Sequence, residues 1–596
     1  MPMKAILYLL APLLFWAGLA LGEQAADALQ PEAEGAGQFS VSEATQASLE
    51  SKRAGRPVEA ETWMIVAAHP LAVEAGARVL QEGGTAADAM IAAQAVLGLV
   101  EPQSSGIGGG GFLVWYDAAA KTLTTLDGRE TAPLAATPRL FQTSDGAPMG
   151  FFEAVIGGRS VGVPGMPALM EEAHRRWGRA IWPDLFADAI RLAEEGFSVS
   201  PRMAMMVARD AERLAAFSET ADYFLPDGQA LVEGAVLKNS DYARAMRLLA
   251  RDGARPFYTG EIAREIVSAV RMAAVNPGQL DMLDFAIYRV KERLAVCVPY
   301  RGRDVCGMGP PSSGALAVGQ ILGVLEPFDL ASLGHDSAEA WRLIGDASRL
   351  AFADRGRFVA DSDFVPVPVE GMLAPDYLED RAALLDSDQA LSEVVPGAPD
   401  FDHSLLQADN SGQERPSTTH ISIVDSFGNA LSMTSSVENA FGARLMVSGF
   451  LLNNQLTDFS FRSHAEGLPI ANRVEPGKRP RSSMSPTIVM EEGVPVLVVG
   501  SPGGSRIINY VAKTIIAHLD WGLDVQQVVS LPHLVNRFGT YDIEAETAAE
   551  ALAGPLGDMG FDIGIQPLTS GLHAISLGEG LRGGADPRRE GLALGQ

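Results

Sequence analysis

Residues 416–420 (PSTTH) stand where two unlike parts of the chain meet. Residues 386–417 are acidic and polar, and three prolines and two glycines interrupt any regular element. From Ile421 onward, apolar and polar residues alternate as in a strand. A threonine released as a new N-terminus would combine a hydroxyl nucleophile with its own α-amine, whose reference pKa is about 8. Thr418 is therefore a candidate for self-cleavage and amide chemistry, although threonines also begin ordinary strands.

Two glycine-rich segments bear on the same chemistry. Residues 500–505 (GSPGGS) follow the apolar run 494–499, and a strand that ends in consecutive glycines can direct backbone N–H groups at an oxyanion. An ordinary turn or a phosphate loop is the alternative, but the lysine of a phosphate loop is missing. Residues 106–111 (GIGGGG) follow a helix and precede a strand, the wrong order for a dinucleotide fingerprint. They predict close backbone packing instead.

The elements that must position these residues are visible as periodic patterns. Strands are predicted at 64–67, 421–424 and 431–434, the last two joined by a turn at Gly428-Asn429. Helices are predicted at 70–81, from a Thr85 cap to 97, at 183–195 and at 338–354. Residues 23–60 lack periodic apolar positions, so we expect a mobile mature N-terminus and the first ordered element near Met64.

Composition limits the broad class of protein. The chain has 596 residues, 47% of them hydrophobic and 20% charged, which indicates a globular protein of two or three lobes. The net charge of −28 argues against a broad nucleic-acid surface, because phosphate contacts need clustered Lys and Arg. Residues 1–22 place Lys4 before an apolar run and small residues, the layout of a signal peptide. A permanent membrane anchor is the alternative interpretation.

The only two cysteines, Cys297 and Cys306, lie on a predicted hairpin formed by residues 294–298 and 304–306. Cysteines near opposite ends of a hairpin can face each other, and export would supply an oxidising compartment. A structural disulfide is therefore expected. No CxxC pair or HExxH helix occurs, so the sequence gives no motif for a structural or catalytic zinc.

Taken together, the motifs resemble those of the γ-glutamyltranspeptidases, threonine members of the Ntn-hydrolase superfamily. The resemblance extends over nearly all of the mature chain. The matching blocks are residues 106–112, 127–133, 310–314, 418–422, 451–460 (LLNNQLTDFS), 478–487 (KRPRSSMSPT) and 500–506 (GSPGGSR). Because so many blocks occur in the order of the family, chance agreement is implausible.

The resemblance implies roles for the catalytic group. Thr418, the first threonine of TTH, would be the nucleophile, and the chain would cut itself between Ser417 and Thr418. Ser436, eighteen positions later, would assist it; many relatives carry threonine there. Gly503 and Gly504 would hold the tetrahedral oxyanion with their N–H groups.

The resemblance also implies a donor site for a γ-glutamyl group. An arginine and a pair of serines would hold the α-carboxylate: Arg129, Ser482 and Ser483. Acidic and amide side chains would hold the α-ammonium: Glu438, Gln455 and Asp458. Glu438 is a departure, because the better-known members have asparagine there. Each residue, taken singly, also has an ordinary structural explanation, as a surface ion pair, a loop residue or a turn.

The segment between Asp458 and Ser482 is a second departure. It has 23 residues (459–481), somewhat fewer than in members with a long lid over the donor, and it contains no tyrosine or tryptophan. We infer a shortened or partly open lid, which would favour water or bulky donors over strict transfer.

The family implies an α+β fold, a four-layer αββα sandwich of two stacked, mainly antiparallel sheets flanked by helices. A large subunit (61–417) and a small one (418–596) would stay interlocked after cleavage. Substrates would be glutathione-like γ-glutamyl small molecules, with amino acids, peptides or water as acceptors. No metal or organic cofactor and no nucleic-acid partner is expected. Export to the periplasm or the exterior is expected, with membrane association if the signal segment stays uncut.

Two other functions remain open at this point. A related acylase that removes cephalosporin-type or other N-acyl side chains is compatible with Glu438 and the short lid. A non-catalytic periplasmic binding protein that kept the pocket is a third hypothesis.

Overall fold

Two seven-stranded antiparallel sheets form the centre of the molecule. A computed structural model describes residues 41–403, 406–410 and 417–596, so the predicted signal segment and residues 23–40 lie outside the described residues. The strands are Val58–Ala60 (β1), Met64–Ala67 (β2), Gly110–Asp117 (β3), Thr122–Gly128 (β4), Phe197–Ser198 (β5), Val236–Leu237 (β6), Lys291–Arg293 (β7), Ala295–Tyr300 (β8), Arg303–Met308 (β9), Thr419–Val424 (β10), Ala430–Ser436 (β11), Met446–Val447 (β12), Phe450–Leu451 (β13), His464–Ala465 (β14), Leu468–Pro469 (β15), Thr487–Glu491 (β16), Val494–Gly500 (β17), Leu534–Asn536 (β18), Thr540–Glu544 (β19), Asp562–Gln566 (β20), His573–Leu577 (β21), Leu581–Ala585 (β22) and Leu592–Gly595 (β23).

Helices cover the outer faces of both sheets. They are Glu43–Arg53 (α1), Pro70–Gln81 (α2), Ala86–Val100 (α3), Phe151–Val155 (α4), Met166–Trp177 (α5), Ala187–Glu195 (α6), Pro201–Leu214 (α7), Ser218–Phe224 (α8), Ser240–Asp252 (α9), Arg255–Tyr258 (α10), Glu261–Arg271 (α11), Met282–Ile287 (α12), Gly314–Leu325 (α13), Leu330–Leu333 (α14), Ala338–Phe358 (α15), Val369–Met372 (α16), Pro375–Ala382 (α17), Ile507–Leu519 (α18), Val525–Ser530 (α19) and Ala553–Asp558 (α20). Short 3₁₀ turns include Trp182–Phe186, Gln455–Asp458 and Gly504–Arg506.

The first sheet has the strand order β23-β2-β10-β11-β3-β4-β7, and the second has the order β1-β22-β21-β17-β16-β9-β8. Strands from before and after Thr418 neighbour each other in both sheets. In the first sheet β10 and β11 lie between β2 and β3, and in the second β9 pairs with β16 and β1 with β22. A cut before Thr418 would therefore leave two pieces that share both sheets. That the two subunits stay interlocked after cleavage is still a prediction.

Side chains alternate along each strand, so the two faces of each sheet pack against different layers. Val66, Val114 and Val424 of the first sheet pack against Ile488 and Val498 of the second. The other face of the first sheet packs on helices such as α2 and α3, and the other face of the second packs on α13, α15 and α18. The predicted four-layer αββα sandwich is confirmed.

Most predicted elements occur, with shifts at their ends. Strand β2 and helix α2 have the predicted bounds. Thr85 caps α3 in a capping box with Asp88, and the helix runs three residues beyond the predicted end at 97. The helix predicted at 183–195 is a 3₁₀ turn followed by α6, and α15 continues to Phe358.

The expectation of a mobile segment up to residue 60 is wrong for residues 43–53 and 58–60. Helix α1 docks on the C-terminal strand through polar contacts: the Ser48 hydroxyl donates to the carbonyl of Ala593, and Lys52 Nζ donates to the carbonyl of Gly591 at 2.6 Å. Strand β1 pairs with β22. No apolar stripe marks this helix, so a search for hydrophobic periodicity misses it.

The predicted disulfide is present. Cys297 and Cys306 are directly opposed on β8 and β9, and their sulfurs are bonded at 2.04 Å. None of the helices in the described part of the chain combines the length and apolar character needed to cross a bilayer.

Candidate active site

The candidate nucleophile lies at the start of a central strand. Thr418 immediately precedes β10, and the antiparallel register of β10 and β11 brings it beside Ser436, the last residue of β11. Thr418 and Ser436 are both buried, at 3% exposure. Their hydroxyl oxygens are 3.4 Å apart. The pairing that the eighteen-residue spacing implied is thus produced by one β-hairpin.

The peptide bond between Ser417 and Thr418 is intact and surrounded by hydroxyl donors. Thr418 Oγ1 donates to the Ser417 carbonyl oxygen at 2.5 Å, and Ser436 Oγ donates to the same oxygen at 2.7 Å. The Ser417 hydroxyl donates to the backbone carbonyl of Gln103 at 2.5 Å. Hydrogen bonds to this carbonyl oxygen polarise the bond that self-cleavage would break.

A small cavity of about 20 Å³ opens beside Thr418. Eight of the ten residues singled out from the sequence line it: Arg129, Thr418, Ser436, Glu438, Gln455, Asp458, Ser482 and Gly504. Met484 and Ile507 complete the lining. Gly503 and Ser483 are not part of it. A cavity of this size holds about one water molecule.

Arg129 and Asp458 form a buried ion pair inside this site. Arg129 Nη2 donates to Asp458 Oδ2 at 2.5 Å, and both side chains are at most 4% exposed. Arg129 also donates to the carbonyls of Pro480 and Arg481, at 3.2 and 2.9 Å. Gln455 Nε2 donates to the same carboxylate at 2.7 Å. A cation and an anion held side by side match the two charges at the end of an amino acid.

Gln455 and Glu438 add acceptor oxygens to the lining of the small cavity. The Oε1 atom of Gln455 is buried and has no hydrogen-bond partner among the described residues. Glu438 is 4% exposed, and Asn454 Nδ2 donates to its carboxylate. The backbone of Glu438 has a φ of +80°, in the left-handed region that asparagine adopts more readily than glutamate. Its amide donates to Ser436 Oγ at 2.8 Å.

The serine pair divides between two environments. Ser482 faces the cavity, and its loop is held by bonds from Ser313 N and Ser313 Oγ to the Ser482 carbonyl, both 2.7 Å. The hydroxyl of Ser483 instead accepts from Arg355 Nη2 at 2.7 Å. Arg355 also donates to Ser313 Oγ at 2.8 Å. This buried arginine therefore holds the loops of Ser313 and Ser483, and it lies outside all of the matching sequence blocks.

Glycine is required by geometry at the two glycine-rich segments. Gly503 and Gly504 have φ values of +139° and +58°, and a Cβ on Gly503 would lie 2.7 Å from the Tyr510 ring. A Cβ on Gly109 would lie 2.1 Å from the Ser436 carbonyl oxygen. The close backbone packing predicted for residues 106–111 is confirmed.

Two site neighbours were not identified from the sequence. Arg589 Nη1 donates to the carbonyl oxygen of Thr418 at 3.2 Å, from seven residues before the C-terminus. Glu130, next to Arg129, is fully buried, and burial raises the pKa of its carboxyl to about 8 against the opposing effect of Arg129. Glu130 could have been identified from the sequence because it belongs to the matching block 127–133. Arg589 lies in no recognised motif.

The segment predicted to form a short lid is hydrogen-bonded near both of its ends to Asn472, a residue within the segment. Asn472 Nδ2 donates to the Asp458 carbonyl at 2.7 Å, and Asn472 Oδ1 accepts from Arg481 N at 2.9 Å. Within the segment, β14 and β15 form a two-stranded hairpin. How far this segment covers a bound donor stays a prediction.

Comparison with known proteins places the chain among enzymes that are made as precursors. A family model described as gamma-glutamyltranspeptidase matches residues 72–596. The chain is 37% identical to the glutathione hydrolase proenzyme of Bacillus subtilis (strain 168), over 89% of this chain and 91% of that protein. It is 34% identical to the glutathione hydrolase proenzyme of Escherichia coli (strain K12), over 82% and 83%.

Acylases are also similar to the chain. The Acylase ACY 1 proenzyme of Pseudomonas sp. (strain SE83) is 33% identical over 88% of this chain and 91% of that protein. Among solved structures, a cephalosporin acylase from Bacillus halodurans superposes with a TM-score of 0.80 at 25% identity, covering 91% of this chain and 97% of that chain. The gamma-glutamyltranspeptidase of Helicobacter pylori gives 0.54 at 34% identity, covering 56% and 96%.

Proposed function

The chain belongs to the gamma-glutamyltranspeptidase family, and from this premise we propose that it is a self-processing γ-glutamyl hydrolase and transferase acting through Thr418. The observation that carries the proposal is the pair of hydroxyl donors on the Ser417 carbonyl, next to a buried Arg129–Asp458 pair. The first feature suits self-cleavage and the second suits an amino-acid donor.

Self-cleavage would begin with attack of Thr418 Oγ1 on the carbonyl carbon of Ser417. The C–N bond breaks, the nitrogen takes the proton and becomes the α-amine of Thr418, and an ester joins the two residues. Water then hydrolyses the ester, leaving a carboxylate on Ser417 and a free hydroxyl on Thr418. Ser436 stabilises the charge on the carbonyl oxygen through its 2.7 Å hydrogen bond.

Turnover would reuse the same hydroxyl. The α-amine of Thr418 takes the proton of Oγ1 as that oxygen attacks the γ-amide carbon of a glutathione-like donor. The N–H groups of Gly503 and Gly504 hold the oxyanion. The amide C–N bond then breaks, and the departing amine takes the proton from the α-amine of Thr418. The acyl group next passes from Thr418 to water, an amino acid or a short peptide.

Donor binding would separate the ion pair that the uncut chain contains. The α-carboxylate would take Arg129 and the Ser482 hydroxyl, and the α-ammonium would take Asp458 and Gln455. Glu438 and Ser483 are the remaining members of the proposed set; Ser483 would act through the loop that Arg355 holds. A cavity of about 20 Å³ is too small for a γ-glutamyl group. Turnover should therefore follow self-cleavage.

The expected location is outside the cytoplasm, with residues 1–22 as the export signal. The relevant test is made on the protein purified from the exported fraction. We expect two bands on a denaturing gel and a small fragment whose N-terminal sequence begins Thr418-Thr419-His420. The same sample should release the anilide from γ-glutamyl-anilide, and Thr418→Ala should stay as one band. One uncut band for the natural chain, or cleavage elsewhere, would contradict the proposal.

The acylase is the second candidate, and it is favoured by the similarity to the two acylases. The two functions differ in the donor's acyl end, because a glutaryl amide lacks the α-ammonium. Comparing kcat/KM for γ-glutamyl-anilide and for glutaryl amides on the cut protein separates them. Turnover of glutaryl amides without γ-glutamyl turnover would reverse the assignment.

A further inference from the structure

Arg589 approaches Thr418 from the C-terminal segment of the chain. Its Nη1 atom donates to the carbonyl oxygen of Thr418 at 3.2 Å, and its side chain is 2% exposed. The proposed steps of cleavage and turnover do not use this contact. Taking a guanidinium out of water is costly, so its place on the backbone of the proposed nucleophile calls for a physical explanation.

Contacts on several sides hold the segment that carries Arg589. Lys52 of α1 donates through Nζ to the carbonyl of Arg589 and, at 2.6 Å, to that of Gly591. Just beyond, β23 pairs with β2 in the first sheet. A Cβ on Gly571 would lie 2.8 Å from Cδ of Arg589, so the arginine packs closely on the backbone there. These surroundings hold the guanidinium against Thr418.

The contact lies on the side of Thr418 that cleavage leaves intact. Thr418 Oγ1 and Ser436 Oγ both donate to the carbonyl of Ser417, which is separated from the new N-terminus when the chain is cut. The carbonyl that Arg589 contacts instead joins Thr418 to Thr419, so cleavage does not break this hydrogen bond. Chain ends tend to fray unless they are tied down. Arg589 can therefore hold the nucleophile in place after cleavage.

The charge of Arg589 also reaches the amine that cleavage would create. Three bonds separate the carbonyl oxygen and the amine nitrogen of one residue, which places the guanidinium within about 7 Å of the amine. A positive charge nearby disfavours the ammonium form. Because the reference pKa of an α-amine is about 8, this repulsion favours a proton acceptor at neutral pH.

Pairing offsets the charge of several other ionic groups near the nucleophile. Arg129 pairs with Asp458 in the small cavity. Glu101, directly after α3, has Arg202 Nε 3.9 Å from its Oε1 atom. Burial raises the pKa of Glu101 against the opposing charges of Arg202 and Arg589. The effect of each of these pairs on the amine is smaller than that of an isolated charge.

Two histidines and two glutamates also belong to the surroundings of the nucleophile. Burial lowers the pKa of His573 to about 4 and that of His420 well below its usual value, so both are neutral at pH 7. Burial raises the pKa of Glu130 to about 8. Glu438 lines the small cavity, and its carboxylate favours the ammonium form. Arg589 opposes that effect through a direct contact with the threonine.

We propose that Arg589 is a positioning residue, which holds the carbonyl of the N-terminal threonine and keeps its α-amine neutral and able to accept a proton. This inference rests on the proposed function, because the amine exists only after cleavage before Thr418. During attack the proton of Thr418 Oγ1 moves to the amine as the bond to the acyl carbon forms. The amine later gives that proton to the departing nitrogen, and Arg589 itself exchanges no proton.

Arg589→Gln tests the charge, because the amide can still donate to the carbonyl of Thr418 but is neutral. The pH dependence of kcat/KM for γ-glutamyl-anilide reports the pKa of the base in the free enzyme. For the natural chain we expect a pKa of about 7, below the reference value of about 8. In Arg589→Gln it should rise by about one unit, so kcat/KM should fall about tenfold at pH 6 and stay within about threefold at pH 9.5.

Two further variants separate charge from structure. Arg589→Lys keeps the positive charge and should keep the pKa within about 0.3 unit of the natural value. Arg342→Gln is the matched control, because Arg342 is also 2% exposed and donates to a backbone carbonyl, that of Leu385 at 3.1 Å. It does not line the small cavity, so its pH profile should match that of the natural chain.

A loss in Arg589→Gln that is equal at pH 6 and pH 9.5, or no loss at either pH, would overturn this inference. A natural chain whose kcat/KM titrates at about 8 or above would overturn it too, and that measurement does not depend on the folding of a variant. In each of these cases the natural chain still cuts itself and turns over the donor, so the proposed function stands. A natural chain that stays uncut or shows no turnover would contradict the proposed function instead.

Discussion

Ser436 Oγ donates to the carbonyl oxygen of Ser417 at 2.7 Å, across the hairpin that also brings the Thr418 and Ser436 hydroxyls within 3.4 Å of each other. One hydroxyl thus contacts both the bond to be broken and the group that attacks it. Before cleavage it is a donor to the carbonyl oxygen. After cleavage the same hydroxyl remains beside the nucleophile.

Ser436→Ala should slow self-cleavage and leave the fold intact. Removing one donor to a developing oxyanion costs about 10²–10³ in rate in other enzymes, and a similar loss is expected here. The fraction of uncut chain on a denaturing gel, followed from the time of synthesis, measures this rate. Ser436→Thr keeps the hydroxyl and should cut at a rate within about tenfold of the natural chain. Prompt cleavage of the alanine variant would show that the hydrogen bond is dispensable.

Arg129→Lys should weaken donor binding without preventing cleavage. A lysine keeps the charge but loses the planar fork that contacts Asp458 and two carbonyls together. We expect KM for γ-glutamyl-anilide to rise by about 10-fold to 100-fold, with two bands still on the gel. Arg462→Lys, an exposed position in the segment after Asp458, is the control and should leave KM unchanged. An unchanged KM in Arg129→Lys would remove Arg129 from the donor site.

Glu438→Gln should change the choice of donor. The carboxylate adds negative charge beside the proposed ammonium site, and the amide keeps the shape without the charge. We expect the kcat/KM ratio of γ-glutamyl-anilide to glutaryl-anilide to fall by about tenfold. Glu466→Gln is the control: its backbone also has a positive φ, and it lies exposed in the turn between β14 and β15. A ratio that does not move would mean that Glu438 plays no part in recognising the ammonium.

Features encoded over short stretches were predictable from the sequence. The Thr85 cap, the β2 strand and the PSTTH junction each depend on neighbouring residues, whose periodicity or turn chemistry is visible directly. The family motifs added most of the residues around Thr418. Helix α1 was missed because polar contacts, and not an apolar stripe, attach it.

Contacts between distant residues were not predictable in the same way. Arg129 and Asp458 are 329 positions apart, and the sequence indicated a role for each without indicating that they pair with each other. Arg589 reaches the Thr418 carbonyl over 171 positions, and Arg355 reaches Ser483 over 128. Such pairings depend on how the sheets and helices stack, which local patterns do not encode.

Glu130 should make the folded state less stable as pH rises. Its carboxyl is fully buried, has no hydrogen-bond partner among the described residues and has a pKa raised to about 8 by burial. Below pH 4.5 the folded and unfolded chains both hold the proton. Between pH 4.5 and about 8 only the unfolded chain loses it, so the free energy of unfolding falls with pH, by up to about 4 kcal/mol.

Glu130→Gln should remove that part of the pH dependence, because the amide does not titrate. Urea unfolding of the uncut Thr418→Ala chain at pH 5 and pH 8, with and without Glu130→Gln, isolates the effect in a single polypeptide. Between the two pH values, the free energy of unfolding of the parent should fall by about 2–4 kcal/mol more than that of the Glu130→Gln chain. Glu82→Gln, an exposed control at 63% side-chain exposure, should follow the parent. Equal losses in the parent and Glu130→Gln chains would mean that Glu130 is ionised in the folded state, held so by the neighbouring Arg129.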